Sequence, residues 1–360
     1  MEEIKSYLNT IINGNNVEVL SQLPDNSVNL IFADPPYYLQ LEQDLYRPNQ
    51  SKVEGVFDKW DKFTSFQEYD EYTKAWLQDC KRVLKEDGAI WVIGSYHNIF
   101  RVGAIMQDLG FWFLNDIVWV KANPMPNFKG TRFNNAHETM IWASKNKQSK
   151  YTFNYKTMKA YNDDLQMRSD WFIPICTGRE RIKVDGLKAH STQKPIELLQ
   201  RIILASSNVG DVILDPFMGS GTTGAVAKRL HRNFIGIERE PFYVEVARER
   251  ILNVVPVDVE LLNNEIERKP PRVPFGNLVE KELIKRGEKL YSKDKKHQST
   301  VLANASIKIK GGFVGSIHKT CKRIIQQQAG NGWQFWHVKR EGKLVALSKI
   351  RTDYIEKYLT

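Results

Sequence analysis

Apolar residues fall into short runs that alternate, over the first three quarters of the chain, with longer stretches of helical periodicity. VNLIFADPP (28–36), GAIWVIGS (88–95), DVILDPF (211–217) and NFIGIE (233–238) are nearly unbroken apolar runs, as expected of strands covered on both faces. FQEYDEYTKAWLQDCKRVLKE (66–86) instead repeats apolar positions every three or four residues and predicts one long amphipathic helix. Strands and helices in alternation predict an α/β domain on a mainly parallel sheet. Pro256, Pro270, Pro271 and Pro274 then break any continuous helix and mark a linker, with a boundary near residue 270. Beyond it SIKIKG, GFVGSIH, WQFWHVKREG and KLVALSKI predict strands and KTCKRIIQQQ a helix, a small α+β module. The expected organisation is therefore 1–270 and 271–360.

Length and composition are ordinary: 360 residues, 42% hydrophobic and 26% charged, which suits about two globular domains and excludes a disordered or fibrous chain. No run approaches the ~18 apolar residues of a membrane helix, and MEEIKSYLNT lacks the basic-then-apolar order of a signal peptide, so a cytoplasmic location is expected. Cys80, Cys176 and Cys321 are odd in number and include no CxxC pair, the pattern of free buried thiols and of neither a disulfide framework nor a zinc site. The net charge of +10 is unevenly placed. Residues 1–270 hold 33 Lys and Arg against 35 Asp and Glu, whereas residues 271–360 hold 19 against 7. A basic module appended to a near-neutral domain points to a polyanion, most simply nucleic acid; the alternative is a lysine-rich face that only aids solubility.

Three motifs carry candidate chemistry. Asp34-Pro35-Pro36-Tyr37 directly follows an apolar strand, at the carboxyl end where open α/β sheets bind ligands. Two prolines fix the turn and supply no N–H, leaving carbonyls free to accept. Asp34 and the Pro35 carbonyl would accept both hydrogens of a planar exocyclic amine, with Tyr37 stacked on its ring; the plainer alternative is a turn whose Asp caps a helix. Asp215-Pro216-Phe217-Met218-Gly219-Ser220-Gly221-Thr222-Thr223 links a second strand to a helix as nucleotide-binding turns do, and Glu238 ends the next strand where an acid binds ribose hydroxyls. His190-Ser191-Thr192-Gln193-Lys194-Pro195 precedes IELLQRIILAS and reads as a helix start, with Thr192 or Gln193 as cap.

Taken together, DPPY, HSTQKP, DPFMGSGTT and FIGIERE resemble the β-class DNA amino-methyltransferases, in which the catalytic motif precedes the S-adenosylmethionine motifs. LEQDLYRPNQSKVEGVFDKWDKF, NPMPNFKGTRFNNAHETMIWA and the basic tail resemble its subgroup of cell-cycle-regulated and HinfI-type adenine methylases, over essentially the whole chain. The resemblance implies a three-layer α/β/α Rossmann-like fold, S-adenosyl-L-methionine as cofactor, no metal, and double-stranded DNA bound by a homodimer at the bacterial nucleoid. It assigns Asp34, Pro35, Pro36 and Tyr37 to catalysis. It assigns His190, Ser191, Thr192, Gln193, Lys194, Asp215, Phe217, Gly219, Ser220, Gly221, Thr222, Thr223 and Glu238 to the cofactor. Asp at the first position of the catalytic motif favours adenine N6 over cytosine N4, and the subgroup's target is GANTC.

DNA contacts are expected from three places. Leu39, Leu41, Leu45, Arg47 and Trp60 lie in the long connection after the catalytic turn, where apolar side chains would act as wedges between bases or pack locally. Asn123, Asn127, Lys129, Arg132, Arg168 and Arg179 fall in polar, basic target-recognition loops at about 121–185. Lys319, Lys322, Arg323, Trp333 and Trp336 lie in the tail, where basic and aromatic residues suit phosphate contact and stacking. Cytosine-N4 or RNA amino-methylation, and a non-catalytic DNA-binding protein on the same fold, are the competing readings.

Overall fold

The computed structural model describes residues 3–39, 61–127, 130–189, 192–258, 273–327 and 330–358. They divide into two compact units, Met1–Asn264 and Glu265–Thr360. Among the described residues no helix is long and apolar enough to cross a membrane.

The first unit holds strands β1 (Thr10–Asn13), β2 (Val28–Ala33), β3 (Leu84–Gly94), β4 (Trp112–Lys121), β5 (His137–Ser144), β6 (Asp170–Ile173), a small hairpin β7 (Lys183–Val184) and β8 (Leu187–Lys188), then β9 (Val212–Asp215) and β10 (Asn233–Glu238). Its helices are α1 (Asn16–Gln22), α2 (Phe66–Val83), α3 (Ile99–Asp108), α4 (Tyr155–Ala160), α5 (Ile196–Ser206), α6 (Thr222–Arg229) and α7 (Pro241–Leu252). Eight strands form one sheet in the order β1-β10-β9-β2-β3-β5-β4-β6, and only β5 runs against the rest.

The side-chain alternation of the strands divides the core in two. Leu30, Phe32, Trp91, Ile93 and Ile213 face one way and pack with α5, α6 and α7 through Leu199, Ile203, Val226 and Ala247. Ile31, Ala33, Ile90, Val92 and Leu214 face the other way and meet α1, α2 and α3 through Leu20, Trp76, Leu77 and Val102. This is the three-layer α/β/α arrangement, in the α/β class. Helix α2 starts at Ser65, whose hydroxyl accepts from Glu68 N–H at 3.1 Å, and buries Tyr69, Trp76, Leu77, Cys80 and Val83 along one stripe. It ends three residues earlier than its periodicity predicts, because Leu84 enters β3.

The central fact of the topology is that β2 and β9, far apart in sequence, are paired neighbours, with Leu30 opposite Ile213 and Ile31 opposite Leu214. The chain leaves β2 toward β3 on one side and β9 toward β10 on the other, so their carboxyl ends part around a crevice.

The second unit is α8 (Phe275–Glu280), β11 (Lys289–Ser292), β12 (Gln298–Val301), β13 (Ile307–Ile309), β14 (Val314–Gly315), α9 (Ile317–Ile325), α10 (Gly332–Phe335), β15 (Trp336–Arg340), β16 (Lys343–Ala346) and α11 (Leu347–Tyr358). Its antiparallel sheet runs β14-β13-β12-β11-β15-β16 around a core of Leu278, Ile284, Leu290, Ile307, Val338 and Leu347. Lys319, Lys322 and Arg323 are exposed on α9, opposite buried Ile317, Thr320 and Cys321. Two expectations for the tail change. The strand foreseen from Trp333 begins only at Trp336, since Asn331 caps a helical turn by accepting from Trp333 N–H at 3.2 Å. Trp336 is consequently core and not a stacking platform: it is 0% exposed, and its Nε1 donates to the Ile317 carbonyl and the Thr320 hydroxyl, each at 3.2 Å. Trp333 is half-buried, against Phe275 and beneath Arg351.

Substituting Trp336→Ala removes a fully buried indole and should destabilise the second unit by about 3–5 kcal/mol. Hydrogen exchange in β11 and β15 of the full chain would rise strongly; unchanged protection there would place the indole outside the core.

Candidate active site

The crevice between the ends of β2 and β9 opens into a cleft of about 340 Å³, whose lining includes Asp34, Pro35, Pro36, Tyr37, Leu39, Thr192, Lys194, Phe217, Gly219 and Glu238. The turn at Asp34–Tyr37 and the glycine loop after β9 thus share one cavity, because their strands are neighbours.

At the turn, Asp34 Oδ2 pairs with Lys194 Nζ at 2.6 Å, and Asp34 Oδ1 lies 3.1 Å from the Tyr37 hydroxyl. That hydroxyl also lies 2.9 Å from Glu138 Oε2, and Glu138 Oε1 pairs with Lys121 Nζ at 2.9 Å. One phenol proton cannot serve two carboxylates at once, so one of these contacts lacks a hydrogen unless Asp34 carries it. Burial pushes Asp34 upward, and Lys194 offsets this only in part. Burial opposes the charge on Glu138 as well, but Lys194 and Lys121 outweigh it and hold that carboxyl below its ordinary range. Lys194 is likewise held above its own range, where Asp34 and Glu138 outweigh burial. The Tyr37 phenol, buried and beside two carboxyls, is pushed far up and stays neutral.

The rest of the turn is clamped from behind. The Pro36 carbonyl accepts from Tyr69 Oη at 2.8 Å and from Asn98 Nδ2 at 3.4 Å. Tyr38 takes a left-handed φ of 53° and stacks on Tyr69, while Asp61 accepts the N–H groups of Tyr38 and Leu39 at 2.6 and 2.9 Å. The Pro35 carbonyl has no donor among the described residues. Among the described residues Asp34 caps no helix, which goes against the plainer reading of the tetrapeptide.

The loop between β9 and α6 uses glycine where a side chain would collide. Gly221 has φ 76°, and a Cβ there would stand 2.7 Å from that of Ala247. Asp215 braces the loop, accepting from Phe217 N–H at 2.9 Å and from the Thr223 hydroxyl at 2.5 Å. Ser220 and Thr222 are tied to Arg250, and Thr222 also to the Lys194 carbonyl. Phe217 lines the cleft edge-on to Trp76. Glu238 accepts from the N–H of Gly219 at 2.8 Å and of Glu240 at 2.9 Å, so its carboxylate faces the loop.

The expected helix cap at Thr192 or Gln193 is corrected. The Ile196 N–H at the start of α5 donates to the Glu180 carboxylate, while Gln193 accepts from Ile182 N–H and donates to the Glu180 carbonyl. His190, Ser191, Leu41, Leu45, Arg47, Trp60 and Lys129 lie outside the described residues.

Glu138, Lys121, Asp61, Glu180 and Asn16 were not foreseen. For Glu138 a signal existed: it is the single charged side chain within the buried strand HETMIWAS. Asn16 lines the cleft, and its Nδ2 is buried without a partner while its Oδ1 accepts from Tyr72. An unpaired amide donor, the Glu238 carboxylate and the Phe217 and Tyr72 rings suit an adenosyl group.

Around the cleft, β4 and β6 end on the same edge of the sheet as β2, so the segments 122–136 and 174–182 leave from that edge. Arg132, exposed there, donates to Tyr96 Oη at 2.8 Å. Asn123 accepts from Ile175 N–H, Asn127 from Thr131 N–H, Arg168 pairs with Asp170, and Arg179 is exposed.

A family model described as DNA methylase, of the N6/N4 type, matches residues 28–249, and one described as restriction enzyme adenine methylase associated matches residues 259–359. The chain is 50% identical over 356 residues to the type II methyltransferase M.HinfI of Haemophilus influenzae, covering 98% of each chain. It is 44% identical over 243 residues to M2.DpnII of Streptococcus pneumoniae, covering 67% of this chain and 88% of that one. Among solved structures, the M1.HpyAVI–SAM complex is similar at 28% identity and a TM-score of 0.51, over 68% of this chain and 98% of that one. The cytosine-N4-specific PvuII methyltransferase shares the fold, at 22% identity and a TM-score of 0.53 over 70% of this chain and 89% of that one.

Burial, only partly offset by the Thr223 hydroxyl, pushes Asp215 up from its ordinary 3.8 to about 7. A folded value above the unfolded one contributes stability in full below about pH 4, lost as pH rises toward 7. Asp215→Asn should therefore flatten the fall in stability across that window in urea unfolding; equal slopes in both proteins would mean the carboxyl ionises freely.

Proposed function

Since the chain belongs to the N6/N4 DNA methylase family, we propose that the cleft at the β2–β9 crevice transfers a methyl group to N6 of an adenine flipped out of duplex DNA. The protein is a site-specific DNA methyltransferase that uses S-adenosyl-L-methionine. The observation that carries the reading is the single cavity holding both Asp34 and the glycine loop.

Asp34 and the free Pro35 carbonyl accept the two N6 hydrogens, drawing the nitrogen out of conjugation and aiming its lone pair. Clamping by Tyr69, Asn98 and Asp61 keeps these acceptors fixed, so little reorganisation is needed at reaction. When bound, S-adenosyl-L-methionine supplies a methyl group on a sulfonium; Glu238, Phe217, Gly219, Thr192 and Asn16 would hold it. An N6 that gains a methyl group must lose one proton, and Asp34, pushed up by burial, is placed to take it. No covalent bond to the enzyme is required.

The segments 122–136 and 174–182, leaving the sheet edge that bears the turn, are proposed to read the target, with GANTC as its sequence. The second unit, through Lys319, Lys322 and Arg323, grips phosphates, and two copies assemble on DNA in the cytoplasm, at the nucleoid.

With labelled cofactor and a GANTC duplex, nucleoside digestion should yield N6-methyladenine, absent when the target adenine is replaced and reduced at least a hundredfold by Asp34→Ala. N4-methylcytosine, or label in RNA, would overturn the substrate assignment. Replacing Lys319, Lys322 and Arg323 together by Gln should lower the slope of log Kd against log salt by about 0.9 for each phosphate that is no longer neutralised. An unchanged slope would remove α9 from the interface.

A further inference from the structure

We propose that Lys194 stands in for the target amine in the free enzyme, and that Glu138 is the positioning residue that takes Lys194 over when the base arrives. The inference rests on the reading of Asp34 as amine acceptor. In the free protein the Lys194 ammonium donates to Asp34 Oδ2 at 2.6 Å, which makes it the donor already occupying an oxygen that the N6 hydrogens need. The other oxygen faces the Tyr37 hydroxyl. Lys194 must therefore give way before the amine can bind.

Both side chains of the pair are largely buried, at 9% and 18% exposure, so an ammonium leaving Asp34 without another anion would be stranded out of water. Glu138 Oε2 lies 3.9 Å from the same Nζ, close enough to receive it through rotation of the terminal lysine bonds. Lys121 holds the opposite Glu138 oxygen at 2.9 Å, which anchors the carboxylate while leaving Oε2 to Tyr37 and Lys194. The cluster of two acids and two ammonium groups can then pass Lys194 between carboxylates without changing its total charge. The groups facing the transfer are Asp34, Tyr37, Glu138 and Lys121, with Asp215 acting on Lys194 from β9.

The two neighbours of Lys194 predict opposite signs. Glu138→Gln removes the alternative anion and leaves Lys194 on Asp34, so the single-turnover methylation rate of the assembled enzyme–cofactor–DNA complex should fall at least tenfold while cofactor Kd stays within about twofold. Glu138→Asp should restore part of that rate. Lys121→Met frees Glu138 to attract Lys194 more strongly, and the rate should equal or exceed that of the unaltered protein. A purely structural cluster would lose rate in both Gln and Met variants, which overturns the proposal, as does an unaltered rate in Glu138→Gln. Should Glu138→Gln lose cofactor binding too, Lys121→Met decides alone: a lower rate overturns the proposal. Asp34→Asn separates the two levels, since full activity there would sink the acceptor reading itself, whereas an inactive Asp34→Asn beside a fully active Glu138→Gln sinks only the role of Glu138.

Discussion

Placing four charged groups in a nearly dry pocket is the constraint to which the site is built. An isolated carboxylate in such a place would gain a proton, and an ammonium lose one, sooner than remain charged, so each ion here is held by an opposite charge beside it. Asp34, Lys194, Glu138 and Lys121 come from the end of β2, the turn before α5, β5 and the end of β4. The mutual requirement ties distant parts of the sheet into one polar unit, and Tyr37 closes it by touching both acids.

The sheet delivers these groups to one place. Had β9 not paired with β2, the glycine loop and the Asp34 turn would open into different crevices. The strand order also explains why a chain in which the Asp34 turn precedes the glycine loop still makes one cleft: what matters is which strand ends adjoin, and sequence order only decides how the connections wrap. The antiparallel β5 is the device that brings Glu138 in, since its amino end lies beside the carboxyl ends of β3 and β4.

Much of this was legible in the chain. Strands β2, β3, β9 and β10 were evident as apolar runs, and DPPY and DPFMGSG declared themselves by their position after such runs. The partners of those motifs were not legible, because pairing between β4 and β5 and the return of Lys194 from before α5 are long-range facts with no local pattern. Trp336 departs from its pattern for a local reason: residues 332–335 form a helical turn, so the period changes in the middle of WQFWHV. The cap of α5 was missed because it comes from Glu180, sixteen residues upstream, and not from the neighbouring Thr192 or Gln193.

Asp61 has a further meaning for how such a protein can diversify. One carboxylate takes the N–H groups of Tyr38 and Leu39, so the chain that departs at Leu39 returns to its point of departure. Closure entropy grows only with the logarithm of the enclosed length, each doubling costing about 0.6 kcal/mol. Residues can therefore be added or removed between these two anchor points with small thermodynamic effect and without displacing the acceptors of the turn. One side chain thus fixes both ends of a connection that starts beside the acceptors, so a change in the length between them need not move the turn.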